Sequence, residues 1–189
     1  RAYGLLWSRL VSEYLLGERA PMNDLMAWNA DTTRMPAKMH SQYLRRLFLD
    51  DDLSEGRYPV GGKPVTLGDI TLPTFMVGTV TDHVAPWRSV FKLQQLSPAE
   101  NTFVLTSGGH NAGIVSPPGN PRRHFQMLTR PASGNYLPPD AWLAAATDTP
   151  DSWWPAWLAW LKARSGAPVK PPRAGATAYP PVGDAPGTY

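Results

Sequence analysis

Two residues have the types and the spacing to do chemistry together, Asp82 and His110. A histidine works as a general base only when one tautomer and one orientation are held, and a carboxylate on its other ring nitrogen supplies both. Asp82 comes shortly after the β-rich apolar run at 70–78, and His110 follows the short run Thr102-Phe-Val-Leu-Thr106. Between them, residues 87–96 have the pattern of a helix. Each residue taken alone has a plainer use. Asp82 could cap the helix that Pro86 opens, and an isolated loop histidine is most often a satisfied polar group. The setting of His110 favours the pair, because Gly108-Gly109 before it and Gly113 behind it let backbone approach a site closely. His83, beside the acid, reads as loop packing.

The elements that must position these residues follow from the same stretch. An acid just past one strand and a histidine just past the next, with a crossover between, is the layout of the last two members of an α/β-hydrolase triad. The separation from Asp82 to His110, 28 residues, suits neighbouring parallel strands joined by one crossover. The fold class is therefore α/β, with two or so parallel strands in view and an apolar edge to cover. The third member of a triad is not in sight.

Upstream, Leu6, Leu10, Val11, Tyr14 and Leu15 share one helical face. Leu25, Met26 and Trp28 precede a polar turn at 29–33, and Pro36 can start a second helix running to about Leu49. Its face is Met35, Met39, Tyr43, Leu44, Leu47 and Phe48, either core or a Met-rich adaptable surface. Asp50-Asp51-Asp52 reads as a solvated helix end, since three adjacent acids do not face one point. A small hairpin should turn at Gly61-Gly62. Downstream of His110 the chain looks irregular through Arg123, then apolar at 125–128, with a short helix opening near Trp142. In the last helical stretch Trp154, Trp157, Leu158 and Leu161 fall on one face, with Trp153 and Trp160 off it. That face is either docked on its own domain or free to anchor on a hydrophobic surface. Residues 167–189, rich in Pro, Gly and Ala, should be extended or disordered.

Totals exclude several classes. The 189 residues suffice for one domain with a core. A net charge of +3, with no basic cluster denser than Arg45-Arg46 or Arg122-Arg123, leaves no nucleic-acid footprint. With no cysteine there is no disulfide, thiolate metal site or cysteine nucleophile within this sequence. No apolar run reaches the roughly 18 residues of a membrane span. The sequence opens at Arg1 inside what looks like a helix, so the expectation is a piece of a longer protein.

Four motifs carry a resemblance. Asp24-Leu-Met-Ala-Trp-Asn-Ala-Asp-Thr-Thr-Arg-Met-Pro36, Asp82-His-Val-Ala-Pro-Trp87, Ser107-Gly-Gly-His-Asn-Ala-Gly-Ile-Val-Ser-Pro-Pro118 and Ser152-Trp-Trp-Pro-Ala-Trp157 stand in the order found in polyhydroxyalkanoate synthases. The chain resembles the C-terminal part of these polyester polymerases, most nearly the single-subunit class that prefers short-chain monomers. The resemblance implies a C-terminal portion of an α/β-hydrolase fold with part of a helical cap: residues 1–60 cap, 61–166 catalytic domain, 167–189 flexible tail. It implies a Cys-His-Asp triad in which Asp82 is the acid and His110 the base, the cysteine lying in a Gly-x-Cys-x-Gly elbow that this sequence lacks. It further implies a 3-hydroxyacyl-coenzyme A substrate, a growing polyester chain, a homodimeric parent, no cofactor or metal, and a cytoplasmic place at the storage-granule surface. Two rival readings stand beside this one, the first keeping Asp82 and His110 in their places. One is the end of an esterase or depolymerase built on a serine elbow, and the other is a granule-binding module using the Trp-rich helix.

Overall fold

A computed structural model describes residues 7–18, 30 and 33–184. Leu6, Leu25, Met26, Trp28 and most of the polar turn before Thr33 lie outside the described residues. The chain forms two compact units, Arg1–Asp52 and Leu53–Tyr189.

In the first unit, Leu10–Leu15 is a π-helical segment, and α1 (Ala37–Gln42) runs into another at Tyr43–Leu49. Pro36, extended at φ −56°, stands just ahead of α1, as its fixed φ suits a helix start. The stripe that could have been core is exposed instead: Met35, Met39, Tyr43 and Phe48 all keep about half or more of their surface. Asp52 pairs with Arg46 at 3.5 Å, and no cluster of three metal-ligating side chains occurs among the described residues.

The second unit opens with the hairpin β1 (Tyr58–Val60) and β2 (Lys63–Val65), turning at Gly61-Gly62 as expected. Its main sheet has four strands in the order β3 (Thr74–Thr79), β4 (Asn101–Thr106), β5 (His124–Arg130) and β6 (Thr147–Pro150). β3 and β4 are parallel in the register Thr74 to Asn101 and Thr79 to Thr106, with the crossover the sequence implies. The sheet is mixed, however. The segment after His110 is not merely irregular, because β5 and β6 add antiparallel and cover the far edge of β4. Every residue of β4 is buried, as a central strand covered on both faces requires.

Alternation splits β4 between two cores. Phe103 and Leu105 face one side, where Met76, Phe91 and Trp142 join them. This side is covered by α2 (Trp87–Val90), α3 (Leu93–Leu96) and α4 (Pro139–Ala145). Phe91, Phe103 and Trp142 meet edge-to-face at centroid distances of 5.0 to 5.7 Å, contacts worth about 0.5–1.5 kcal/mol each beyond area burial. The single helix expected over 87–96 is two short ones, since Lys92 N–H donates three residues back to Ser89 and tightens the turn that delivers Phe91 inward. Val104 faces the other side with Phe125 and Trp153, under α5 (Trp154–Lys162).

α5 corrects the expected face. Trp153 is buried and Trp160 lies against Phe75 at 5.6 Å, while Trp157 and Leu158 remain 42% and 50% exposed. The helix is apolar nearly all round, so spacing alone does not fix which stripe turns inward. At the other end of β3 and β4, Asn101 is fully buried. Its amide donates to the carbonyls of Ser97 and Ala99, and its oxygen takes the Thr74 hydroxyl. No helix among the described residues is long and apolar enough to cross a membrane.

Candidate active site

Parallel pairing continues beyond both strand ends. Val80 N–H donates to the Thr106 carbonyl and Thr81 N–H to the Gly108 carbonyl, each at 3.0 Å. The next residue on one side is Asp82; two further along on the other is His110. The tight exit after β4 needs glycine. Gly108 has φ +116°, and a Cβ there would meet Arg123 Nη1 at 2.4 Å. That guanidinium donates instead to the Ser107 carbonyl at 3.0 Å. Gly113 is equally constrained, since a Cβ there would sit 2.5 Å from Thr79 Cγ2.

The structure brings the two predicted residues together. Asp82 Oδ2 lies 2.9 Å from His110 Nδ1. Asp82 Oδ1 accepts the backbone N–H groups of Val84 and Ala85 at 2.8 and 2.9 Å. Asp82 does not cap α2, whose N-cap is Pro86 with no side-chain hydrogen bond; one Asp82 oxygen holds the 82–85 turn ahead of that helix and the other holds the imidazole. His83 is exposed beside them. The acid side chain is only 7% exposed and the histidine 48% exposed, so the carboxylate is shielded while the ring is open to a reactant. No hydrogen bond among the described residues reaches Nε2. With Nδ1–H donating to the carboxylate, Nε2 is left as an acceptor.

The Asp82 carboxyl is lowered to about 2. The Ala85 N–H is the largest cause. Burial pushes the other way, and the bonds from His110 and Val84, with the charge of His110, complete the lowering. A carboxylate depressed by folding stabilises the fold above the ordinary range near ~4, and that contribution disappears as pH falls through the lowered value. Stability should therefore decline between about pH 4 and pH 2. Urea unfolding at stepped pH checks this, and Asp82→Asn should flatten the decline in that window.

Sequence reasoning missed one group of residues near the site. Asp151, Trp153 and Trp154 contact the loop behind His110 from some 30 to 40 positions away. The run was visible as an aromatic segment, but periodicity carries no signal for so distant a partner.

Fold and site together define an α/β protein with a His-Asp pair at the carboxyl ends of two adjacent parallel strands, where open α/β sheets place their ligands. No family model matches the chain. Among curated proteins, it is similar along its whole length to the C-terminal part of poly(3-hydroxyalkanoate) polymerases. Identity is 40% over 191 residues with poly(3-hydroxyalkanoate) polymerase 2 of Ectopseudomonas oleovorans, covering 100% of this chain and 33% of the relative. With the polymerase subunit PhaC of Rhizobium etli it is 39% over 190 residues, 100% of this chain and 29% of the relative. With PhaC of Cupriavidus necator it is 36% over 192 residues, 100% of this chain and 32% of the relative. The chain thus spans about a third of the length of the curated relatives it matches.

Proposed function

We propose that this chain is the C-terminal part of a polyhydroxyalkanoate synthase and supplies the acid and base of its Cys-His-Asp triad. The observation that carries the reading is the Asp82–His110 bond at the ends of adjacent parallel strands, in a chain similar throughout to such polymerases. The sheet would then be the C-terminal portion of an α/β-hydrolase catalytic domain, residues 1–60 part of its cap and 167–189 a flexible tail. The nucleophile would come from a cysteine elbow preceding this sequence.

His110 Nε2 takes the thiol proton as the sulfur attacks the thioester of a 3-hydroxyacyl-coenzyme A. The bond from carbonyl carbon to coenzyme A sulfur breaks, and the leaving thiolate receives the proton back. His110 then accepts the proton of a 3-hydroxyl as that oxygen attacks the acyl-enzyme carbonyl; the ester bond forms, the bond from carbonyl carbon to cysteine sulfur breaks, and the cysteine thiolate takes the proton back from His110. Asp82 holds the ring in the Nδ1–H tautomer and offsets the charge of the imidazolium at each step. Work on an insoluble polyester places such an enzyme at the granule surface, and a homodimer is the assembly we expect.

Thiol release from 3-hydroxybutyryl-coenzyme A tests the reading. The 189-residue chain alone should release none, whereas the longer protein that carries it should release coenzyme A and build polymer. Turnover by the cysteine-free chain would end the proposal, as would simple ester hydrolysis without polymer by the longer protein.

A further inference from the structure

The loop that follows His110 is held from one short segment at the start of α5. Trp153 Nε1–H donates to the Gly113 carbonyl at 3.1 Å, and Trp154 Nε1–H donates to the Ile114 carbonyl at 2.9 Å. Asp151 of the same segment accepts the N–H groups of Gly119 at 2.8 Å and Asn120 at 3.3 Å. The loop itself is a single tight turn, with Gly113 N–H donating to Gly109 and Val115 N–H to Asn111, both at 2.9 Å. Carbonyls at the end of so short a turn have no partner within it, and the two indoles take that place.

The anchor is rigid. Trp153 is 6% exposed, stacks on Phe75 of β3 at 6.3 Å, and packs with Val104 of β4. It therefore sits on the two strands that deliver Asp82 and His110. The base needs such support, because His110 is half exposed and Asp82 is its one hydrogen-bond partner among the described residues. An imidazole carried on an unsupported turn would leave the reach of both the carboxylate and the thiol.

We propose that Trp153 and Trp154 are positioning residues for His110, fixing the 109–115 turn so that Nδ1 stays on Asp82 while Nε2 stays open to the nucleophile. Their effect on catalysis rests on the polymerase reading; their effect on the histidine does not.

The test uses the longer polymerase with Trp154→Phe, Trp153→Phe and the double change, which remove the N–H and keep an aromatic ring. Trp157→Phe is the control. Losing one such bond should lower kcat by about tenfold with KM for 3-hydroxybutyryl-coenzyme A within about twofold, and the control should stay within about twofold. In parallel, proton NMR follows the hydrogen-bonded Nδ1–H of His110, assigned by its disappearance in His110→Gln. That resonance should be present in the parent and control and be weakened or lost in the double variant. If it and kcat both survive the double change, the proposal is wrong. A kcat loss with the resonance intact would equally overturn it, because a general effect on the fold would then suffice. If the double variant does not fold, Trp154→Phe alone decides, since that ring is only partly buried. Loss of the resonance in an enzyme whose polymerisation ignores His110→Gln would retire the polymerase reading and leave the support of the turn standing.

Discussion

In the longer polymerase, His110→Ala is expected to lower kcat by about a thousandfold or more while KM for the thioester changes little. The ring has an open acceptor nitrogen, and its proton-bearing nitrogen is already committed to Asp82. In the proposed mechanism two proton transfers depend on it, and they do so unequally. A cysteine is a few per cent thiolate at neutral pH, so the first acylation retains some rate without a base. A 3-hydroxyl has no such reserve, and transfer to it should be the step that fails. Rapid-quench measurement of acyl-enzyme and of polymer separates the two. Slow acylation with no elongation is the expected pattern, and elongation within about tenfold of the parent would remove His110 from this role.

The second large effect is expected of Asp82→Asn, about a hundred- to ten-thousandfold in kcat. The geometry makes this substitution unusually informative. Asparagine keeps one carbonyl oxygen, and the N–H groups of Val84 and Ala85 both claim it. The amide NH2 is then left facing Nδ1. Donor opposes donor unless the ring moves its proton to Nε2, and that tautomer cannot accept a proton from sulfur. The turn survives while the base is disabled, so thermal stability near neutral pH should change little. If Asp82 only capped the turn, the asparagine variant would be nearly silent. Steady-state turnover beside a thermal melt therefore decides between the two uses of this acid.

The site was more legible than the sheet that carries it. Asp82 and His110 could be paired because strand, acid, helix, strand and histidine follow in a short span with a known connection rule. β5 and β6 escaped for physical reasons. Phe125 to Leu128 sits behind the breaker-rich stretch 116–121, and its residues do not alternate cleanly between apolar and polar. β6 is Thr-Asp-Thr-Pro, polar throughout and ending in proline, a composition tolerated only on an edge strand. Its pairing is dictated by β5 rather than by its own propensity. The Trp-rich helix failed differently. Its apolar groups encircle the axis, and the choice of inward face is made by Phe75 and the 113–114 carbonyls, which no helical period encodes.

Asn101 has a reach well beyond its own surroundings. Its bonds to Thr74, Ser97 and Ala99 pin β3 against β4 at their starting ends. The His-Asp pair hangs from the opposite ends, about 16 Å further along the strands. A parallel ladder transmits phase without attenuation: a slip of one residue at the start is a slip of about 3.3 Å at the finish. It would also turn every side chain of the strand to the other face. A contact of 2.9 Å cannot absorb such a displacement. The buried amide thus acts as the zero mark of a vernier whose reading is taken at the imidazole.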